Sequence, residues 1–222
     1  EYDEHIWLSL KNAAVLTQST LESRSKGSFT LDLNRYKLEY DAMKICAAIV
    51  PDLIPKLYDC DEENRVFITE DVSYLRISRF QLLKGVTYPK LADQIARYMA
   101  ATQFYTSEYY LDTKRFRDLS VHFMNTTMRK IMEVGMFLTS VTPEDTVGRP
   151  LDPEFVTFSK RICADPAVLL ARQKLRHLFM SKGECLIHCD LHTSNIFASQ
   201  TEAKVIDMEY AFFGPFAYDM GY

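Results

Sequence analysis

Two hydrophobic rhythms share the chain. Residues 6–11 alternate with period two, which puts Ile6, Leu8 and Leu10 on one face and Trp7, Ser9 and Lys11 on the other, as in a strand. Over residues 33–50 the rhythm lengthens to that of a helix with Tyr36, Tyr40, Met43 and Ala47 on its inward stripe. That helix should stop before Pro51, because the residue preceding a proline is pushed out of the α region. Glu39 falls at the edge of the stripe, where a carboxylate needs a cationic partner, and Lys11 is the candidate. Short strands follow at 57–58 and 65–70 around the polar turn 59–64.

From Thr87 onward the pattern is helical. Thr87 should cap a helix beginning near Pro89 that buries Leu91, Ile95, Tyr98, Met99 and Thr102. A second helix from about Lys114 should bury Phe116, Leu119, Phe123, Ile131 and Val134. The Asp-Pro pairs at 152–153 and 165–166 read as two more helix starts, and Gly183 as the cap that ends the last one. Apolar runs at 185–187, 196–198 and 204–207, with the polar turn 199–203 between the last two, read as strand, loop and β-hairpin. The fold class is α+β.

The chemistry concentrates in this last stretch. A hairpin centred on Thr201 sets Asn195 opposite Asp207, with Cβ atoms about 5 Å apart, near enough to grip one cation. Asp190, in the loop entering the hairpin, faces the same space. Carboxylates crowded as Asp190, Asp207 and Glu209 would be repel one another unless a cation sits among them, and oxygen donors of this kind suit Mg²⁺. The order His-x-Asp-x-x-x-x-Asn, then an Asp after a hairpin, matches a kinase catalytic loop and its metal-binding Asp. In that scheme Asp190 takes the proton of the attacking hydroxyl while Asn195 and Asp207 hold the metal. The competing reading of His188, Asp190 and His192 is a zinc or iron cluster of a hydrolase. Against it, His5, His122 and His177 lie in no ligand spacing. A merely structural hairpin is the remaining alternative.

The runs HCDLHTSNIF and KVIDMEYAFFGPFAYDMG resemble the aminoglycoside phosphotransferase/choline kinase-like superfamily and, within it, the S-methyl-5-thioribose kinases. The resemblance implies a protein kinase-like fold, with a partial β-rich N-terminal lobe over residues 1–71 and a mostly helical lobe over 72–222. It implies ATP and Mg²⁺ as cofactors, and transfer of a phosphoryl group to the 1-hydroxyl of S-methyl-5-thioribose in methionine salvage. Choline, an aminoglycoside or another sugar is the alternative acceptor, and a non-catalytic remnant the alternative role.

LSLKNA is similar to the strand whose Lys reaches the nucleotide phosphates, so Lys11 takes that part, held by Glu39. Residues 70–72 resemble the hinge that meets adenine, giving Glu70 and Val72 as nucleotide contacts. Glu209 joins Asn195 and Asp207 at the metal, and His188 and Asp219 fix the loop by hydrogen bonds. Two positions depart from the thioribose kinases. Cys189 stands where they usually carry Gly, which a side chain tolerates only if the backbone is not at positive φ. Asn195 follows the broader superfamily where they commonly have Ser. No glycine-rich hairpin precedes Lys11, since the first glycine is Gly27, and the chain stops just past Asp219. The likeness is therefore expected to cover the middle of a longer kinase. A homodimer follows by analogy alone.

Composition narrows the setting. With 222 residues, 47% of them hydrophobic, the chain can bury one large core or two small ones. A net charge of −4 offers no basic surface for nucleic acid. The acidic start EYDEHIWLSL lacks the basic region of a signal peptide. The longest apolar run within a helix, 45–50, is far short of the roughly 20 residues that span a bilayer. Five cysteines without a Cys-x-x-Cys pair form neither a disulfide framework nor a zinc ribbon, so a reducing, cytoplasmic setting is expected.

Overall fold

The structure is a computed structural model and describes residues 31–138 and 152–221, together with the backbone of two strands at 8–10 and 14–18. Those strands, β1 (Leu8–Leu10) and β2 (Ala14–Gln18), join β3 (Leu57–Asp61) and β4 (Val66–Glu70) in an antiparallel sheet of order β1-β2-β4-β3. Between β2 and β3 runs α1 (Arg35–Ile49). A short strand β5 (Arg76–Ile77) and helix α2 (Ser78–Leu82) lead to α3 (Leu91–Tyr105), α4 (Thr113–His122) and α5 (Thr126–Glu133), which continues into a π-helical turn. Then come α6 (Pro153–Ala164), α7 (Pro166–Ser181), β6 (Cys185–Ile187), β7 (Ile196–Ala198), β8 (Ala203–Val205), β9 (Phe212–Gly214) and α8 (Ala217–Gly221). Two small sheets, β5-β7-β8 and β6-β9, carry the segment where the chemistry was expected. The α+β architecture is the expected one, and no helix among the described residues is long and apolar enough to cross a membrane.

Helix α1 buries Arg35, Tyr36, Glu39, Ala42, Met43 and Cys46, a clean i, i+3/i+4 stripe. It is rotated from the expected one: Tyr40 and Ala47 only flank the core, and Glu39 lies in the middle of the buried face. The core continues without a break from this helix through Leu53, Phe67, Tyr98 and Phe123 to Leu186, Ile196 and Val205. Strand β8 is tied to the segment after α1, since the Val205 N–H donates to the Leu53 carbonyl at 2.8 Å and Lys204 Nζ donates to the Ile54 carbonyl at 3.2 Å.

The Asp-Pro pairs start helices as anticipated. Asp152 accepts from the Glu154 N–H, and Asp165 accepts from the N–H groups of Ala167 and Val168. Three other expectations fail. The N-cap of α3 is Lys90, without a side-chain cap, so Thr87 plays no such part. The single helix from Lys114 is two, because Asn125 adopts a left-handed conformation (φ 42°, ψ 51°) that no α-helix can pass through, and Met128 and Met132 are buried beyond it. Helix α7 ends on Lys182 in extended conformation rather than on a left-handed Gly183.

Candidate active site

The loop between β6 and β7 is held from behind by one carboxylate. Asp219, on α8, accepts the His188 N–H at 2.8 Å and the Cys189 N–H at 2.9 Å, and burial raises its pKa. The His188 ring closes the knot: its Nδ1 accepts the Asp190 N–H at 3.3 Å, so Nε2 carries the proton that it gives to the Ile206 carbonyl at 2.9 Å. Both ring nitrogens are thereby occupied, which leaves His188 no lone pair for a metal and removes the basis of a His-x-Asp-x-His cluster. The expected scaffold role of His188 and Asp219 is what these bonds describe.

Cys189 is fully buried at φ 68°, so the condition under which a side chain would be tolerated there is not met. The chain carries a strained cysteine where glycine would sit without cost.

Asp190 and Asn195 meet directly. Asn195 Nδ2 donates to the Asp190 carbonyl at 3.0 Å and to its Oδ2 at 3.2 Å. With the donor end of the amide committed to Asp190, its carbonyl oxygen is the end that could serve a hard cation. His192 stands beside the same carboxylate, Nε2 at 3.6 Å from Oδ2, while its Nδ1 accepts the Ser194 N–H at 3.2 Å.

The hairpin brings Asp207 near by a different register from the one expected. Ile196 pairs with Val205 and Ala198 with Ala203, leaving a four-residue turn closed by the Ser199 N–H on the Glu202 carbonyl. An even loop moves the pairing by one, so Asn195 lies across from Ile206, whose N–H donates to its carbonyl at 3.1 Å. The strand ends at Val205 and Asp207 itself is left-handed, at φ 66°, a conformation that Asp tolerates better than most side chains.

Glu209 is buried, and its Oε2 accepts from Arg35 Nε at 2.7 Å. Its backbone carbonyl is held at 2.8 Å by Asn125 Nδ2, which also reaches the Ala211 carbonyl at 3.0 Å. Glu39 completes the patch. Burial raises its pKa well above the usual carboxylate range, with the charges of Asp207 and Glu209 adding to the effect and Arg35 and the Met208 N–H opposing it. Among the described residues Glu39 makes no ion pair, and Lys11, its anticipated partner, lies outside them. Nor do the described residues gather three or more His, Cys, Asp or Glu side chains as a metal cage, so the cluster expected of Asp190, Asp207 and Glu209 is not closed. The donors offered by Asp190, Asn195 and Asp207 are nonetheless all oxygen, the set that suits Mg²⁺ with water and phosphate completing its shell.

At the edge of the sheet, the Glu70 N–H donates to the Lys56 carbonyl at 2.8 Å and its Oε2 accepts the Lys56 N–H at 3.1 Å, while the Val72 carbonyl accepts the Leu75 N–H at 2.9 Å. Buried Lys204 lies 3.7 Å from Glu70 Oε2, an inter-element pair that pattern reading missed. Arg35 and Asn125 were missed as well. Arg35 stands one helical turn before Glu39 and could have been found by that spacing; Asn125 gives no signal beyond the tolerance of Asn for left-handed backbone.

Residues 143–222 match the phosphotransferase enzyme family. Over 194 residues the chain is 37% identical to a methylthioribose kinase of Geobacillus sp. (strain WCH70), covering 87% of this chain and 48% of the relative. A methylthioribose kinase of Geobacillus thermodenitrificans (strain NG80-2) is 34% identical over 213 residues, covering 96% and 53%. The chain thus spans about half the length of the curated relatives it matches. Among solved structures, the gentamicin–APH(2")-IIa complex aligns with TM-score 0.53 at 14% identity, over 98% of this chain and 66% of that one. The streptomycin–ATP–APH(2")-IIa complex aligns with TM-score 0.50 at 14% identity, over 99% and 67%. At such identity the likeness is one of fold. The stretch that carries the catalytic-type loop lies within the match to the phosphotransferase enzyme family, and the chain has a protein kinase-like fold.

Proposed function

We propose that the chain acts as, or within, an ATP-dependent small-molecule kinase that phosphorylates S-methyl-5-thioribose at its 1-hydroxyl in methionine salvage, in the cytoplasm. The observation that carries the phosphotransfer reading is the Asp190–Asn195 contact, which aligns a carboxylate and an amide in the order a kinase loop requires. The acceptor rests on the likeness to the methylthioribose kinases.

In this reading Asp190 accepts the proton of the sugar hydroxyl as it attacks the γ-phosphorus. Asp207 and Asn195 hold Mg²⁺, which neutralises charge on the phosphates when bound. Lys11 and Glu39 serve the phosphates, and Glu70 and Val72 border the adenine. Residues 1–71 and 72–222 form the two lobes of the enzyme, and a homodimer is its assembly. Catalysis of this kind is mainly alignment and charge neutralisation, so the backbone knot behind Asp190 matters as much as the carboxylate.

The test is a panel of methylthioribose, choline and an aminoglycoside with labelled ATP, on the parent and on Asp190→Asn. Transfer to methylthioribose that Asp190→Asn abolishes is expected. Preference for another acceptor would overturn the substrate, and tight Mg·ATP binding without transfer to any would make this a nucleotide-binding protein.

A further inference from the structure

We propose that Lys204 is a positioning residue for the nucleotide base: from inside the core it fixes the linker after β4, residues 70–75, against which the base would lie. Lys204 belongs to β8 and is only 6% exposed, an uncommon state for a lysine. An ammonium this deep needs an acceptor and a counter-charge. Its Nζ donates to the Ile54 carbonyl at 3.2 Å and lies 3.7 Å from Glu70 Oε2. Asp52, a second carboxylate within reach of the Lys204 charge, is exposed and gives both its oxygens to Arg97. Glu70 is therefore the group that Lys204 holds.

The linker is tied to the hairpin at both ends. At the first end the Glu70 N–H donates to the Lys56 carbonyl at 2.8 Å, while Glu70 Oε2 accepts the Lys56 N–H at 3.1 Å and faces the ammonium. At the other end Glu202, two residues before Lys204 and so on the same side of the chain, accepts the Tyr74 hydroxyl at 2.8 Å. Between the two ties the Leu75 N–H closes a turn onto the Val72 carbonyl, and both of those side chains are buried. Strand β5 follows at once and pairs with β7, Arg76 with Ala198 and Ile77 with Phe197. A surface preset in this way avoids the ordering cost at binding, so its affinity for a flat ligand depends on how firmly it is held. A methionine of similar volume would fill the space of Lys204 at little cost in stability, so what the charge contributes is a fixed place for Glu70. Without it Glu70, whose side chain is 21% exposed, turns to water and the linker loosens.

This inference rests on the reading that Glu70 and Val72 border the adenine, and the test keeps the two apart. Mg·ATP and Mg·ribose 5-triphosphate, which lacks only the base, are titrated calorimetrically into the 222-residue chain, Lys204→Met, Glu70→Gln and the double variant. Thermal unfolding is followed on the same set. The parent should bind ATP more tightly than ribose 5-triphosphate. Lys204→Met should erase on the order of tenfold of that preference and leave ribose 5-triphosphate affinity unchanged, and the double variant should lose no more, because one contact is removed either way. Should Lys204→Met not fold, Glu70→Gln, which keeps an acceptor for the Lys56 N–H, carries the same test. A Lys204→Met protein that melts lower yet keeps the full preference would overturn the inference and make Lys204 a packing residue. Equal loss of both ligands would also overturn it, since the damage would then lie away from the base. A parent that binds ATP no better than ribose 5-triphosphate would sink the adenine reading itself, and the inference with it.

Discussion

Residues 185–219 and the helical pair α6–α7 are similar in length and are held in place in opposite ways. In the first, strands β6, β8 and β9 are buried throughout, and buried polar groups bond across long stretches of chain: Asp219 to two N–H groups, His188 to two partners, and the carbonyls of Glu209 and Ala211 to Asn125. In the second, α6 buries no residue and α7 only Phe179, while Phe155, Phe158, Leu170 and Leu175 are exposed. The helices rely on their Asp N-caps, with α7 also tethered through Arg129, Arg172 and Arg176. The contrast teaches that the geometry of the catalytic-type loop is specified by buried hydrogen bonds between distant residues, where one lost partner leaves another stranded. The starts of the helical pair are specified by local caps that fail singly and cheaply.

That difference can be tested from its strongest expected effect downward. Asp190→Asn should cut phosphotransfer about 10²–10⁴-fold in a steady-state assay with labelled ATP, the range for losing a general base, while His192→Ala should cost far less. Asp219→Ala strands two buried N–H groups and should lower stability by about 2–5 kcal/mol in urea unfolding. A loss below about 1 kcal/mol would show that water replaces the carboxylate and would remove the contrast. Asn125→Ala gives up two carbonyl contacts and places a Cβ-bearing residue without a local polar group in left-handed backbone, at about 1–3 kcal/mol. Asn125→Gly, which keeps only the backbone freedom, should recover part of it. Across the divide, Asp165→Ala should cost about 1 kcal/mol as a lost N-cap, and Leu170→Ser should stay within about 0.5 kcal/mol.

Acidity sharpens the same comparison. Burial holds the folded-state pKa of Glu39 above its ordinary 4.5, so its contribution to stability is full below that value and is lost as pH rises through the folded pKa. Glu39→Gln, which mimics the protonated form, should therefore hold or raise stability near neutral pH and flatten the dependence of stability on pH above the ordinary carboxylate range. The exposed Arg97–Asp52 pair acts with the opposite sign, since Arg97 lowers the Asp52 pKa, and its neutralisation should pass almost unseen.

Much of this was readable from pattern. Strands 185–187 and 196–198 fall where their apolar runs predict, and both Asp-Pro pairs begin helices, because those signals are local and survive any tertiary context. The hairpin register was misread by one residue because an apolar run does not reveal whether its turn holds four residues or five. Strands β2, β5 and β9 went unseen, two of them being only two or three residues long and defined by their partners. The break at Asn125 and the left-handed Cys189 sit where neighbouring carbonyls or a carboxylate hold the backbone, in the case of Cys189 against residue preference. At the site, the types and order of Asp190, Asn195 and Asp207 were legible, whereas the burial of Glu39 and the pairing of Glu209 with Arg35 depend on a helix rotation too small for periodicity to resolve.

Strand β8 bears on how such a protein can breathe. Val205 and Lys204 are fastened to the carbonyls of Leu53 and Ile54, and the Lys204 amine also faces Glu70. Any opening of a nucleotide cleft must carry residues 53–54 along with the hairpin and pivot at some other joint, so the amide of Val205 should be among the slowest in the chain to trade its hydrogen for deuterium.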